Sequence, residues 1–299
     1  MDEPVFGLRQ MERQIMSRTI RTLVDGIGFG EAPRWRDGWL YLSDIHADRV
    51  LRVSPDFGGY EVVAELDCPP SGLGWLPDGR MLVVSMHDRK ILRQEGDGFV
   101  EHADLSEIAT WHANDMVVDD AGTAYVGNFG FRIAPVRDEA CTAAIAKVTA
   151  DGRVSIAADG FWFPNGAVIT ADRKTFIVAE SSARCLTALT IAGDGTLTDR
   201  RLWGQMAENQ LPDGICLDAE GAIWIASPPS REVVRMAEGG RILERIPTEQ
   251  EAIACMLGGK DGCTLFILTA EGRDPDWCRA HHVARVLSTR VEVPAVGLP

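Results

Sequence analysis

The chain has 299 residues, 45% of them hydrophobic, which is enough to bury a large core in one domain or two. Thirty basic residues against 44 acidic ones leave a formal charge of −14, and that balance argues against a nucleic-acid partner, which needs clustered Lys and Arg to meet a phosphate backbone. No run of about 18 apolar residues occurs, so a membrane span is excluded.

Residues 1–17, "MDEPVFGLRQMERQIMS", read as an N-terminal extension of helical or irregular character. They lack a basic start, an apolar stretch and a small-residue cleavage site, so no signal peptide is expected. The seven cysteines are odd in number and without CxxC spacing, and they read as reduced thiols of a cytoplasmic protein rather than a zinc framework. "SRTIRTLVDG" is then the first strand candidate.

From Glu31 a phrase begins that recurs along the chain. "EAPRWRDGWLYLSD" is a short apolar segment, a polar turn and a β-rich run closing on a polar residue, which describes two strands joined by a tight turn. It returns as "SGLGWLPDGRMLVVS" from Ser71, as "NDMVVDDAGTAYVGN" from Asn114 and as "NGAVITADRKTFIVAE" from Asn165. It returns again as "DGICLDAEGAIWIAS" from Asp213 and "ACMLGGKDGCTLFILTA" from Ala254. The turn Gly (Gly38, Gly79, Gly122, Gly221, Gly262, with Arg173 in the same slot of the fourth copy) fixes a common phase. Between the copies lie further strand pairs, among them "KILRQEGDGFVEHA", "AIAKVTADGRVSIAADG" and "EVVRMAEGGRILERI". Residues 131–144 and the segment "EGRDPDWCRAHH" read as two loops over one face. "VARVLSTRVEVP" near the C-terminus is the last strand candidate.

Four strands per unit at a period of about 40 to 50 residues mark a β-propeller. Six units predict an all-β, six-bladed propeller over residues 18–299, one domain, with the first and last strand candidates completing one blade together.

Position one of the phrase starts the innermost strand of each blade, and equivalent positions in a propeller converge on one ring around the axis. The ring reads Glu31, Ser71, Asn114, Asn165, Asp213, Ala254. Two carboxylates and two amides, with no Cys or His, suit one hard divalent cation, with Ca²⁺ the first expectation and Mg²⁺, Mn²⁺ or Zn²⁺ the alternatives. Asn and Asp also accept backbone hydrogen bonds at strand starts, but four oxygen-bearing residues at one phase favour ligands over caps.

The pieces "GEAPRW" at Glu31, "NDMVVD" at Asn114, "FPNGAVIT" at Asn165 and "LPDGICLD" at Asp213 resemble the senescence-marker-protein, gluconolactonase and luciferin-regenerating-enzyme family of six-bladed propellers. The resemblance implies a divalent metal held by Glu31, Asn165 and Asp213, with Asn114 at or next to it. It also implies hydrolysis of a small-molecule lactone, with Asp213 as the base for water. Members that act on sugar lactones often carry Arg two residues before the Asn matching Asn114, where this chain has His112. A ring of variable charge thus replaces a cationic fork, and His112 becomes a candidate substrate contact or base. Trp111, Phe129, Phe131, Phe161, Trp162 and Phe163 flank the ligand segments and suggest a less polar substrate, though each could serve blade packing. Organophosphate hydrolysis, lyase chemistry or a non-enzymatic Ca²⁺-stabilised binding role would use the same ring. A monomer or small homo-oligomer is expected. No G-x-S-x-G elbow occurs, so a serine hydrolase has no support.

Overall fold

The computed structural model describes residues 18–133 and 138–299. The expectations for residues 1–17 fall outside these residues. Six four-stranded antiparallel sheets form six blades of a β-propeller. Their innermost strands are Gly30–Arg36, Pro70–Trp75, Ala113–Val118, Pro164–Ile169, Ile215–Leu217 and Glu251–Gly258.

Each blade follows from the recurring phrase. The inner and second strands are joined by the hairpin whose turn Gly was read from the sequence, and all five turn glycines adopt positive φ, from 71° at Gly262 to 89° at Gly79. Arg173, in the glycine slot of blade four, takes the same left-handed conformation at φ 61°. The turn therefore sets the backbone there, at a steric cost that glycine would avoid.

The ring is closed as expected. Strand Ala284–Arg290 carries strand Arg21–Ile27 on its outer side, with Arg21 opposite Ser288 and Ile27 opposite Ala284. Blade six is thus built from both ends of the chain. A C-terminal strap then crosses the channel's far end: Ala295 bonds Gly262 of blade six, Val296 bonds Leu217 of blade five, and Leu298 exchanges two hydrogen bonds with Ile169 of blade four. A cavity of 390 Å³ beside it is lined by Trp35, Trp75, Leu298 and Pro299.

One loop expectation needs correction. Within "EGRDPDWCRAHH", residues Pro275–His281 form a helix, α1, where the sequence predicts a loop throughout. The cause is local: the Asp274 side chain accepts a hydrogen bond from Trp277 N, and Pro275 sits in the first turn where its missing N–H is no loss. Within the other segment, residues 131–133 and 138–142 have no regular structure, and its last two residues, Ala143 and Ala144, already belong to strand Ala143–Val148.

The inner strands pack closely enough that glycine is required between blades. A Cβ on Gly166 would lie 2.7 Å from Asp213 O, and one on Gly214 would lie 2.4 Å from Ala254 Cβ. Both follow a ring residue directly, so the sequences Asn-Gly and Asp-Gly encode the approach of neighbouring blades at the channel. Five of the seven cysteines are buried, among them Cys216 and Cys255 on adjacent inner strands.

Candidate active site at the channel mouth

The ring positions gather at one mouth of the channel. In blades one to four and six a β-bulge interrupts pairing of the inner strand at or beside the ring residue, for example between Ala113 and Met116 around Asn114 and between Pro164 and Ala167 around Asn165. Bulges re-aim side chains, and here they take Ser71, Asn114 and Asn165 out of the ladder, while Glu31 and Ala254 stay paired with Ser43 and Leu268 at the bulge's edge. Asp213 precedes its strand but is held by its own N–H to Ala226 O at 3.0 Å.

A chain of hydrogen bonds links four of these residues. Ser71 Oγ donates to Asn114 Oδ1 at 3.3 Å, Asn114 Nδ2 to Asn165 Oδ1 at 3.0 Å, and Asn165 Nδ2 to Asp213 Oδ1 at 2.6 Å. Asn165 Nδ2 also reaches Ser181 Oγ at 3.2 Å, and Ser181 in turn donates to Pro212 O. Asn114, Asn165 and Asp213 are all buried, and Ala254 fills the sixth position with a methyl group. Glu31 completes the set from blade one, where its Oε2 accepts a hydrogen bond from Ala32 N.

The electrostatics are those of a site short of positive charge. Burial, and then the facing Asp213 carboxylate, push Glu31 well above the usual carboxylate range. Burial raises Asp213 to about 6, against the pull of Arg273 and of the Asn165 hydrogen bond. Two desolvated carboxylates facing one another, beside two amide oxygens and without a bonded Lys or Arg among the described residues, fit a hard divalent cation. Glu31, Asn114, Asn165 and Asp213 would hold it.

Two residues beside the ring belong to a different task or were not foreseen. Asp115, neighbour of Asn114 in the phrase, accepts from buried Arg34 Nη2 at 2.6 Å, and Arg34 also bonds Leu73 O and Pro33 O. This ion pair ties blades one, two and three together. Arg273 was missed altogether. It stands just before helix α1, pairs with Glu251 through Nε at 2.9 Å, and is the cation whose charge acts on both Asp213 and Glu31. Its sequence signal was the Asp-Pro cap that follows it.

The mouth has an aromatic wall. The His112 ring lies 4.2 Å from that of His87, 4.6 Å from Trp111 and 5.8 Å from Phe129, and Phe129 lies 4.5 Å from Phe163. Burial, with neighbouring His87, lowers His112 to about 4, so it is a neutral ring near pH 7. Phe161, by contrast, is fully buried within blade packing, while Trp162 is exposed.

Against this geometry stand the comparisons with known proteins. A profile of the SMP-30/gluconolactonase/LRE-like region matches residues 29–271. The chain belongs to this family. Among its relatives, a pentonolactonase of Haloferax volcanii is 30% identical over 263 residues, covering 85% of this chain and 86% of that one. Human regucalcin is 29% identical over 256 residues, covering 83% and 85%. Family members also share the fold at lower identity. A luciferin-regenerating enzyme superposes with a TM-score of 0.78 at 17% identity, over 94% of this chain and 98% of that one. A gluconolactonase of Xanthomonas campestris gives 0.74 at 23%, over 95% and 93%.

Proposed function

We propose that the protein is a divalent-metal-dependent lactonase that opens a cyclic ester with water. The observation that carries this reading is the convergence of Glu31, Asn114, Asn165 and Asp213 at one channel mouth, in a chain that belongs to a family with a pentonolactonase and a gluconolactonase among its relatives.

A divalent cation, when bound there, supplies polarisation of the ester carbonyl and offsets the negative charge that develops on its oxygen. The chain's own groups do the rest. Asn165 fixes one oxygen of Asp213, and Asp213 Oδ2 accepts no hydrogen bond from the described residues. That oxygen is the candidate to take a proton from attacking water. The bonds through Ser71, Asn114 and Asn165 hold the carboxylate against rotation, so its orientation is set before substrate arrives. The neutral His112 ring, set within the aromatic wall, suits a substrate contact better than a charged anchor.

The test combines elemental analysis of protein purified without chelator with pH-stat assays on a lactone panel, supplemented in turn with Ca²⁺, Mg²⁺, Mn²⁺ and Zn²⁺. One bound cation and turnover that a chelator abolishes are expected. Phosphotriester hydrolysis with no lactone opening would replace this reading with the organophosphatase one. Metal binding without turnover of any substrate would leave a binding propeller.

A further inference from the structure

We propose that Arg273 is the substrate-facing cation of this site, and that it selects a lactone bearing an anionic, oxygen-rich end opposite an apolar face. The inference rests on the lactonase reading above and extends it to the substrate's shape.

The mouth is asymmetric. On the side of blades two to four its wall is ring against ring, from His87 through His112 and Phe129 to Phe163. Such a wall favours a flat or apolar substrate surface. On the side of blade six stands Arg273, whose side chain is 52% exposed although Glu31 and Asp213 feel its charge. With Nε committed to Glu251, neither terminal nitrogen of the planar guanidinium is hydrogen-bonded among the described residues, and both can meet an oxygen acceptor.

The backbone that carries Arg273 is fixed on both sides. Cys278 Sγ donates to Gly272 O at 3.4 Å, immediately before it, and Asp274, immediately after it, caps helix α1. Cys278 is buried in the core shared by blades one, five and six, and Trp277 packs against that core. The helix also lies against the 3-10 turn Ile45–Ala47 of blade one. A cation on so rigid a base loses only its own side-chain freedom when it grips a ligand.

Charge balance at the mouth permits an anionic guest. The buried Arg34–Asp115 pair is neutral in itself, which leaves three carboxylates, Glu31, Asp213 and Glu251, against the one guanidinium of Arg273. A divalent cation on the ring brings that balance to zero, so an acidic substituent near Arg273 meets attraction without net repulsion.

The experiment uses the full chain with added divalent metal, and γ-butyrolactones carrying a phenyl group, a carboxylate, or both. In Arg273→Met the KM for carboxylate-bearing lactones should rise about tenfold or more relative to the phenyl-only lactone, with kcat affected much less. Arg273→Lys should recover part of the loss. Equal effects on both lactone types, or no effect, overturn the proposal. If the parent opens no lactone, the lactonase reading fails and the same compounds become stable ligands for calorimetry. Tighter binding of the carboxylate-bearing lactones, lost in Arg273→Met, then still supports the role of Arg273. Binding that ignores the carboxylate, or no binding, overturns it.

Discussion

Asn165 donates one amide hydrogen to Asp213 Oδ1 at 2.6 Å while its carbonyl oxygen accepts from Asn114, so an amide from blade four positions a carboxylate from blade five. Those residues lie 48 apart in the chain. The bond divides Asp213 into one restrained oxygen and one that is available for chemistry.

Asp213→Asn should therefore abolish most catalysis without harming the fold, because the substitution keeps side-chain size and one carbonyl oxygen. Removal of a general base costs about 10² to 10⁴ in rate. The loss should persist at saturating metal, where weakened metal affinity alone would be recovered. Ser71→Ala, which removes only the 3.3 Å bond to Asn114, should cost far less. Initial rates of both variants on the best lactone found decide the point, and parental activity in Asp213→Asn would move the base elsewhere.

Metal should stabilise the fold as well as serve the reaction. Desolvation and the repulsion of Asp213 both act against the charged form of Glu31, and a cation at the ring relieves both. At a free metal concentration of about 100 times Kd the gain is about 2.7 kcal/mol. Differential scanning fluorimetry across a metal titration should show Tm rising by about 5 °C or more. Glu31→Gln should reduce the rise. A Tm indifferent to every divalent ion would speak against the site.

His112→Arg should turn substrate preference toward hydroxyl-rich lactones. Arginine there introduces a permanent charge and forked donors into a wall where the present ring lies tilted against that of His87 at 4.2 Å. The ratio of kcat/KM for a sugar lactone to that for an aromatic lactone is the quantity to follow. An unchanged ratio would assign His112 to packing alone.

The Arg34–Asp115 pair makes a prediction about stability. Arg34→Met leaves the Asp115 carboxylate buried without its partner, which should cost about 3–5 kcal/mol. Adding Asp115→Leu removes the orphaned charge and should restore most of that loss. Urea midpoints for the two single variants and the double variant give the coupling. Strict additivity would mean that the pair contributes nothing as a pair.

The architecture and the ring were legible because each blade is the same local unit, repeated in phase. Alternating apolar residues and the turn glycine specify a hairpin wherever the phrase occurs, and Arg173 shows how firmly that turn is imposed, holding φ 61° without glycine. Once six such units close, position one of each must face the axis, so Glu31, Asn114, Asn165 and Asp213 could be named from spacing alone. Even the joining of the two chain ends in one blade followed from counting strands.

Tertiary structure decided what does not repeat. Asp115 looks like a fifth ligand beside Asn114, yet it answers Arg34, 81 residues away, because the bulge aims the two side chains differently. The aromatic wall draws on three blades, and the residue spacing gives no sign that the rings of His87 and His112 meet. Arg273 reaches the site from an irregular segment outside the period, positioned by a helix cap and a buried thiol. Ring membership is fixed by phase. The residues around the mouth come from loops of unequal length, whose contacts depend on where six blades place them in space.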